Sequence, residues 1–151
     1  MNALVDILNS SQDAKGFVKG YFNYLNTVLN NISEDEIVTF IDILFKARER
    51  ASTIFFLGNG GSAATASHFA NDIGIGTRSW DKPFKAMSIT DNNAVMTAIG
   101  NDYGYEDVFL KQLQIHLKPD DVIVTISASG NSINLIKATE YANNHRAITV
   151  G

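Results

Sequence analysis

Residues 55–74 read FFLGNGGSAATASHFANDIG: an apolar run, a break of three glycines, then a small-residue stretch with helical spacing that carries His68 and Asp72. An apolar run of this length that ends in glycines and gives way to a helix is the strand–loop–helix step of an α/β sheet. Three further short apolar runs, FKAMSIT (84–90), DVIVTIS (121–127) and AITV (147–150), also end in Gly, Ser, Thr or Asp and have helical patterns between them. Strands rich in Ile, Val and Phe on both sides of the pleat, alternating with helices, predict a buried parallel sheet covered on both faces. Ligands of such sheets bind beyond the carboxyl ends of the strands.

Upstream of the first strand the pattern changes. Phe17, Tyr21, Tyr24, Leu25, Val28, Leu29 and Ile32 recur at steps of three and four, the stripe of an amphipathic helix. Ser33 then opens S-E-D-E, a capping box with Glu36, and Ile37, Phe40, Ile41, Leu44 and Phe45 continue a second stripe. The expected organisation is a single domain over 1–151, with N-terminal helices in 1–52 and an α/β core in 53–151.

Composition bounds the function. The chain has 151 residues, 45% of them hydrophobic, and a formal charge of −4, with no basic run suited to nucleic acid. It contains no cysteine, which excludes disulfide and thiolate chemistry. No segment reaches the roughly 18 apolar residues of a membrane span, and the N-terminus lacks a signal-peptide pattern. Cytoplasmic location, with no membrane and no direct nucleic-acid partner, is the default expectation.

Two strand ends carry the informative loops: Gly58-Asn59-Gly60-Gly61-Ser62 and Ser127-Ala128-Ser129-Gly130-Asn131-Ser132. Glycines expose backbone N–H groups, the following helix N-terminus adds partial positive charge, and serine hydroxyls add uncharged donors. Ser62, Ser127, Ser129 and Ser132 therefore suggest a cradle for one phosphate, although either loop alone is also an ordinary turn with a helix cap. The first loop satisfies G-x-G-x-x-A, but a dinucleotide site wants an acidic residue closing the second strand about 20 residues on. Asp81 precedes that strand and Asp91 lies well past the distance, so sugar phosphate is preferred to nucleotide.

His68 and Asp72, at i and i+4, share one helix face. They suit a metal or an acid–base pair, while by spacing alone a structural histidine beside a solvated aspartate is the simpler reading. His116 and His145 read as surface residues.

The segments FLGNGGSAATASHFANDI, AIGNDYGYEDVF and TISASGNSINLIKA, in this order, resemble the sugar isomerase (SIS) domain family, and within it the sedoheptulose-7-phosphate (phosphoheptose) isomerases. The resemblance implies a three-layer αβα sandwich with a parallel, doubly wound, flavodoxin-like sheet, and a homotetramer with the N-terminal helices between subunits. It implies interconversion of sedoheptulose 7-phosphate and D-glycero-D-manno-heptose 7-phosphate for bacterial lipopolysaccharide or capsule. By motif, Gly60, Gly61, Ser62, Ser127, Ser129 and Ser132 would hold the phosphate and Asn59 and Asp102 the sugar. Asp72 would be the base and His68 its partner, both also as zinc ligands.

The chain departs from the family pattern in three places. Asp72 stands where the isomerases carry a glutamate, and Arg78 is displaced from the family's TGR. The sequence also reaches Gly151 where family members continue to a second catalytic histidine. Either it is an incomplete version of the subunit, or half of the catalytic pair is lacking. The competing expectation is a non-catalytic SIS-domain protein, such as a homotetramer that binds a replication initiator.

Overall fold

In a computed structural model of the chain, which describes residues 3–151, the helix and strand patterns of the sequence alternate as the periodicities demand. The N-terminal part holds α1 (Ala3–Ser10), α2 (Ala14–Asn30) and the start of α3 (Glu34–Arg50). Asp13 caps α2 by accepting the Gly16 N–H at 2.7 Å, and Ser33 Oγ caps α3 by accepting the Glu36 N–H at 3.2 Å. The short helix α1 was not anticipated. On α2, the turn after it and the first turn of α3 the apolar stripe is exposed, Tyr21, Leu25, Leu29, Ile32 and Ile37 among it.

The α/β part follows as β1 (Thr53–Gly58), α4 (Gly61–Asn71), β2 (Lys85–Ser88), α5 (Asn93–Asp102), α6 (Leu110–His116), β3 (Val122–Ile126), α7 (Ile133–Asn144) and β4 (Ile148–Val150). A π turn over Asp72–Gly76 extends α4, and a 3-10 turn over Tyr105–Asp107 precedes α6. All the strands pair in parallel, in the order β2-β1-β3-β4. This is the expected doubly wound, flavodoxin-like arrangement.

Alternation along the strands divides the core between the two faces. Phe55, Leu57 and Ile123 pack with Phe109, Leu113, Leu135 and Ala138 from the side of α6 and α7. Ile54, Phe56, Val122 and Val124 pack with Ala47 of α3 and with Ala66 and Ala70 of α4. The alanines let α4 lie close to the sheet.

The compact units divide at Val38/Thr39, inside α3, rather than near residue 52 as the sequence suggested. Phe40, Ile43, Leu44 and Ala47 belong to the sheet's own apolar cluster, so the second half of α3 is part of the α/β unit.

Candidate functional site

The direction of the sheet reverses between β1 and β3. The chain leaves β1 toward β2 on one side and returns to place β3 on the other, so the loops after β1 and β3 flank the crevice where ligands of this architecture bind. Gly58 ends β1 with a Cβ position only 2.6 Å from the Ser62 backbone carbonyl; any side chain there would push the first turn of α4 off the strand. Gly60 then takes φ +53°, in the left-handed region that glycine enters without strain.

Asn59, Ser62, Ser127, Ser129 and Ser132 line one cavity of about 210 Å³ between these loops. The structure thus brings together four serines predicted from two separate segments. The volume is below the roughly 300–1,000 Å³ of pockets for drug-sized ligands, so it suits a phosphate better than a dinucleotide. Ser127 Oγ accepts the Gly130 N–H at 3.1 Å and Ser129 Oγ accepts the Asn131 N–H at 3.3 Å. The two hydroxyls lie 3.5 Å apart, and with each oxygen accepting a backbone N–H, a hydroxyl proton of this pair can be donated to an anion. Ser132, the N-cap of α7, makes no side-chain capping bond. Gly60 and Gly61 form the exposed rim at the start of α4.

Asn59 is held from two sides. Its amide pairs reciprocally with that of Asn134, both contacts at 2.9 Å, and the Tyr105 hydroxyl donates to Asn59 Oδ1 at 2.9 Å. Neither Asn134 nor Tyr105 was picked out by sequence. Tyr105 sits three residues past Asp102, which is exposed at the end of α5, accepts from Asn101 Nδ2 at 2.8 Å, and does not line the serine cavity.

His68 and Asp72 meet as the i,i+4 spacing predicts, Nε2 to Oδ2 at 3.3 Å, with side chains 77% and 59% exposed. They line a separate groove of about 440 Å³ with Ala64, Thr65, Phe69 and Ile73. At about 100° per residue, His68 is turned roughly 120° around α4 from Ser62, which explains why this pair and the serines do not share one cavity. The 3.3 Å separation matches the ligand–ligand edge of a tetrahedron with bonds of about 2.0–2.1 Å, so the pair fits two corners of a zinc shell. Among the described residues no third His, Cys, Asp or Glu completes such a group.

Electrostatics elsewhere are ordinary salt bridges with clear pKa consequences. Hydrogen bonds from Lys137 Nζ to Glu106 (2.6 Å) and Asp107 (2.9 Å) raise the lysine's pKa and tie the 3-10 turn to α7. The Lys82 ammonium, hydrogen-bonded to Glu49, lowers that carboxyl's pKa. His116 and His145 are exposed as expected, His145 stacking on Tyr141 at 3.9 Å.

Known proteins share both the sequence and the architecture. Phosphoheptose isomerase 2 of Campylobacter jejuni is 35% identical over 146 residues, covering 93% of this chain and 72% of that protein. The phosphoheptose isomerase of Solidesulfovibrio magneticus is 44% identical over 105 residues, 70% of this chain and 52% of its own length. The matches thus span about half the length of several curated relatives. The structure of phosphoheptose isomerase from Neisseria gonorrhoeae superimposes with a TM-score of 0.80 at 31% identity, over 91% of this chain and 73% of that one. Residues 20–151 match the model of the SIS domain, and with the parallel sheet and the paired strand-end loops already in place, the chain belongs to the SIS domain family.

Proposed function

We propose that this protein is an aldose–ketose isomerase acting on a heptose phosphate, interconverting sedoheptulose 7-phosphate and D-glycero-D-manno-heptose 7-phosphate. The observation that carries the reading is the serine-lined cavity at the sheet's reversal point, on a chain whose relatives are named phosphoheptose isomerases. Those names favour catalysis over a binding-only role.

In this reading the phosphate rests against Ser62, Ser127, Ser129 and Ser132, with Gly60 and Gly61 at the rim and Asn59 and Asp102 toward the sugar. A firm hold on one end of the substrate is then used to place the other. Asp72 removes the proton from the carbon beside the carbonyl, leaving an enediolate, and returns it to the neighbouring carbon, while the hydroxyl proton passes from one of the two oxygens to the other. His68, 3.3 Å away, orients the carboxylate.

His68 and Asp72 are also the proposed zinc ligands, with further ligands from outside the described residues. Bound zinc would supply Lewis-acid polarisation of the substrate oxygens. The exposed stripe on α2 is the proposed interface of a homotetramer, and the enzyme would act in the cytoplasm, providing heptose for bacterial lipopolysaccharide or capsule. No helix among the described residues is long and apolar enough to cross a membrane.

The test is to incubate the purified protein with sedoheptulose 7-phosphate, with and without added zinc, and follow the aldose by NMR. Appearance of the heptose 7-phosphate is expected. Its absence under both conditions would leave phosphosugar binding without catalysis as the better account.

A further inference from the structure

Asn134 is 2% exposed, yet it carries an amide with four hydrogen-bonding positions and has no part in the mechanism above. Its surroundings remove the usual ambiguity between amide oxygen and nitrogen. The Leu135 N–H, which can only donate, lies 2.9 Å from Asn134 Oδ1 and so identifies that atom as oxygen. Asn134 Nδ2 therefore faces Asn59 Oδ1, and Asn59 Nδ2 faces Asn134 Oδ1, each at 2.9 Å. The Tyr105 hydroxyl, 2.9 Å from Asn59 Oδ1, must then be a donor.

The bonds can now be counted. Asn59 Oδ1 accepts two, which fills its lone pairs, and Asn59 Nδ2 spends one N–H on Asn134. One amide N–H remains, on a residue that lines the serine cavity. The turn bearing Tyr105 is itself fixed to α7, the helix of Asn134, by Lys137.

We infer that Asn134 and Tyr105 are positioning residues, which together clamp the Asn59 amide so that its remaining N–H is a fixed donor to an oxygen of the bound phosphosugar. The inference rests on the phosphosugar reading of the cavity. Without the clamp the amide is free to rotate and to present its oxygen, an acceptor that repels an anionic ligand.

The experiment is a double-mutant cycle on the purified protein, with affinities for sedoheptulose 7-phosphate and inorganic phosphate measured by calorimetry. Tyr105 is exposed, so Tyr105→Phe removes one hydroxyl from a side chain that does not hold the core together. It should weaken at least one of the two ligands by roughly fivefold. In an Asn59→Ala background the same substitution should have no effect, because it acts through Asn59. Unchanged affinity for both ligands in Tyr105→Phe, or equal losses in the two backgrounds, would overturn the inference. If Asn59→Ala fails to fold, the Asn59 side-chain amide resonances decide: Tyr105→Phe should shift them and abolish their response to ligand, and an unaltered response would overturn the clamp. Wild-type protein that binds neither ligand would instead overturn the phosphosugar reading beneath it, a result the cycle keeps separate.

Discussion

The Thr53 backbone N–H donates to Asp121 Oδ1 at 2.7 Å, joining the first residue of β1 to the residue that precedes β3. The other oxygen of this carboxylate accepts the Lys118 N–H at 2.8 Å, and Asp121 is only 3% exposed. Asp121→Ala would leave two backbone donors without a partner. At about 1–3 kcal/mol for each such group, a loss of roughly 2–6 kcal/mol is expected in urea unfolding. Asp121→Asn, which keeps one acceptor, should lose less.

Asp72→Asn preserves the size of the side chain and removes its basic oxygen. Turnover of sedoheptulose 7-phosphate should fall by about 10²–10⁴ while inorganic phosphate still binds, since the serine cavity is elsewhere on α4. Zinc affinity measured by competition with a chelator should fall in both Asp72→Asn and His68→Ala. Retained zinc in both variants would remove this pair from the metal site.

Ser129→Ala deletes a hydroxyl of the serine cavity whose oxygen accepts the Asn131 N–H. A hydrogen bond to a charged phosphate contributes about 1.5–3 kcal/mol, so phosphate affinity should drop by roughly 10- to 150-fold in calorimetric titration. An unchanged affinity would place the phosphate elsewhere.

Lys137 gives a pH signature. Glu106 and Asp107 raise its pKa above the ordinary 10.5, so the folded state holds this proton more tightly than the unfolded one. The stabilisation is therefore complete below that value and disappears as pH rises through the folded-state pKa. The difference in thermal midpoint between wild type and Lys137→Met should be constant from pH 7 to 9 and shrink above about 10.5. Because the pair is solvent-exposed, salt should reduce the difference.

Leu25 and Leu29 lie on the exposed stripe of α2, more apolar surface than a lone helix usually shows to water. Light scattering should give the mass of a tetramer, and Leu29→Glu should lower it without changing the near-ultraviolet signal of the α/β part. A wild-type protein that runs as a single chain at micromolar concentration would defeat the interface.

What could be read in the sequence was what depends on periodicity and glycine. The apolar run that leads into the first glycine loop becomes β1, Thr53–Gly58, because a buried central strand leaves an unbroken apolar run. β2 is shorter than FKAMSIT suggested, since Phe84 leaves the sheet to pack edge-on against Phe45, 5.7 Å between centroids. The serine loops were legible as a pair because each follows a strand. Asn134 and Tyr105 were not, because their importance comes from meeting Asn59 across 75 and 46 residues of chain. Nor did local sequence announce the π turn after Asn71, which takes the helix past Asp72. The separation of His68 from the serines around α4, by contrast, was calculable from helix geometry alone.

The strand order also governs how the molecule can be made. Among the described strands β1 is the first to be synthesised and lies inside the sheet, yet Ile54 pairs with Val122, roughly 70 residues later. At synthesis rates of about 5–20 residues per second, the run TIFFL waits some 4–14 s for that partner. During this interval its apolar faces and one backbone edge are available to other nascent chains. The arrangement that sets the two serine-bearing loops side by side therefore also leaves β1 waiting for a distant part of the chain, and slow pairing with an exposed strand edge is the physical cost of building the site from separate segments.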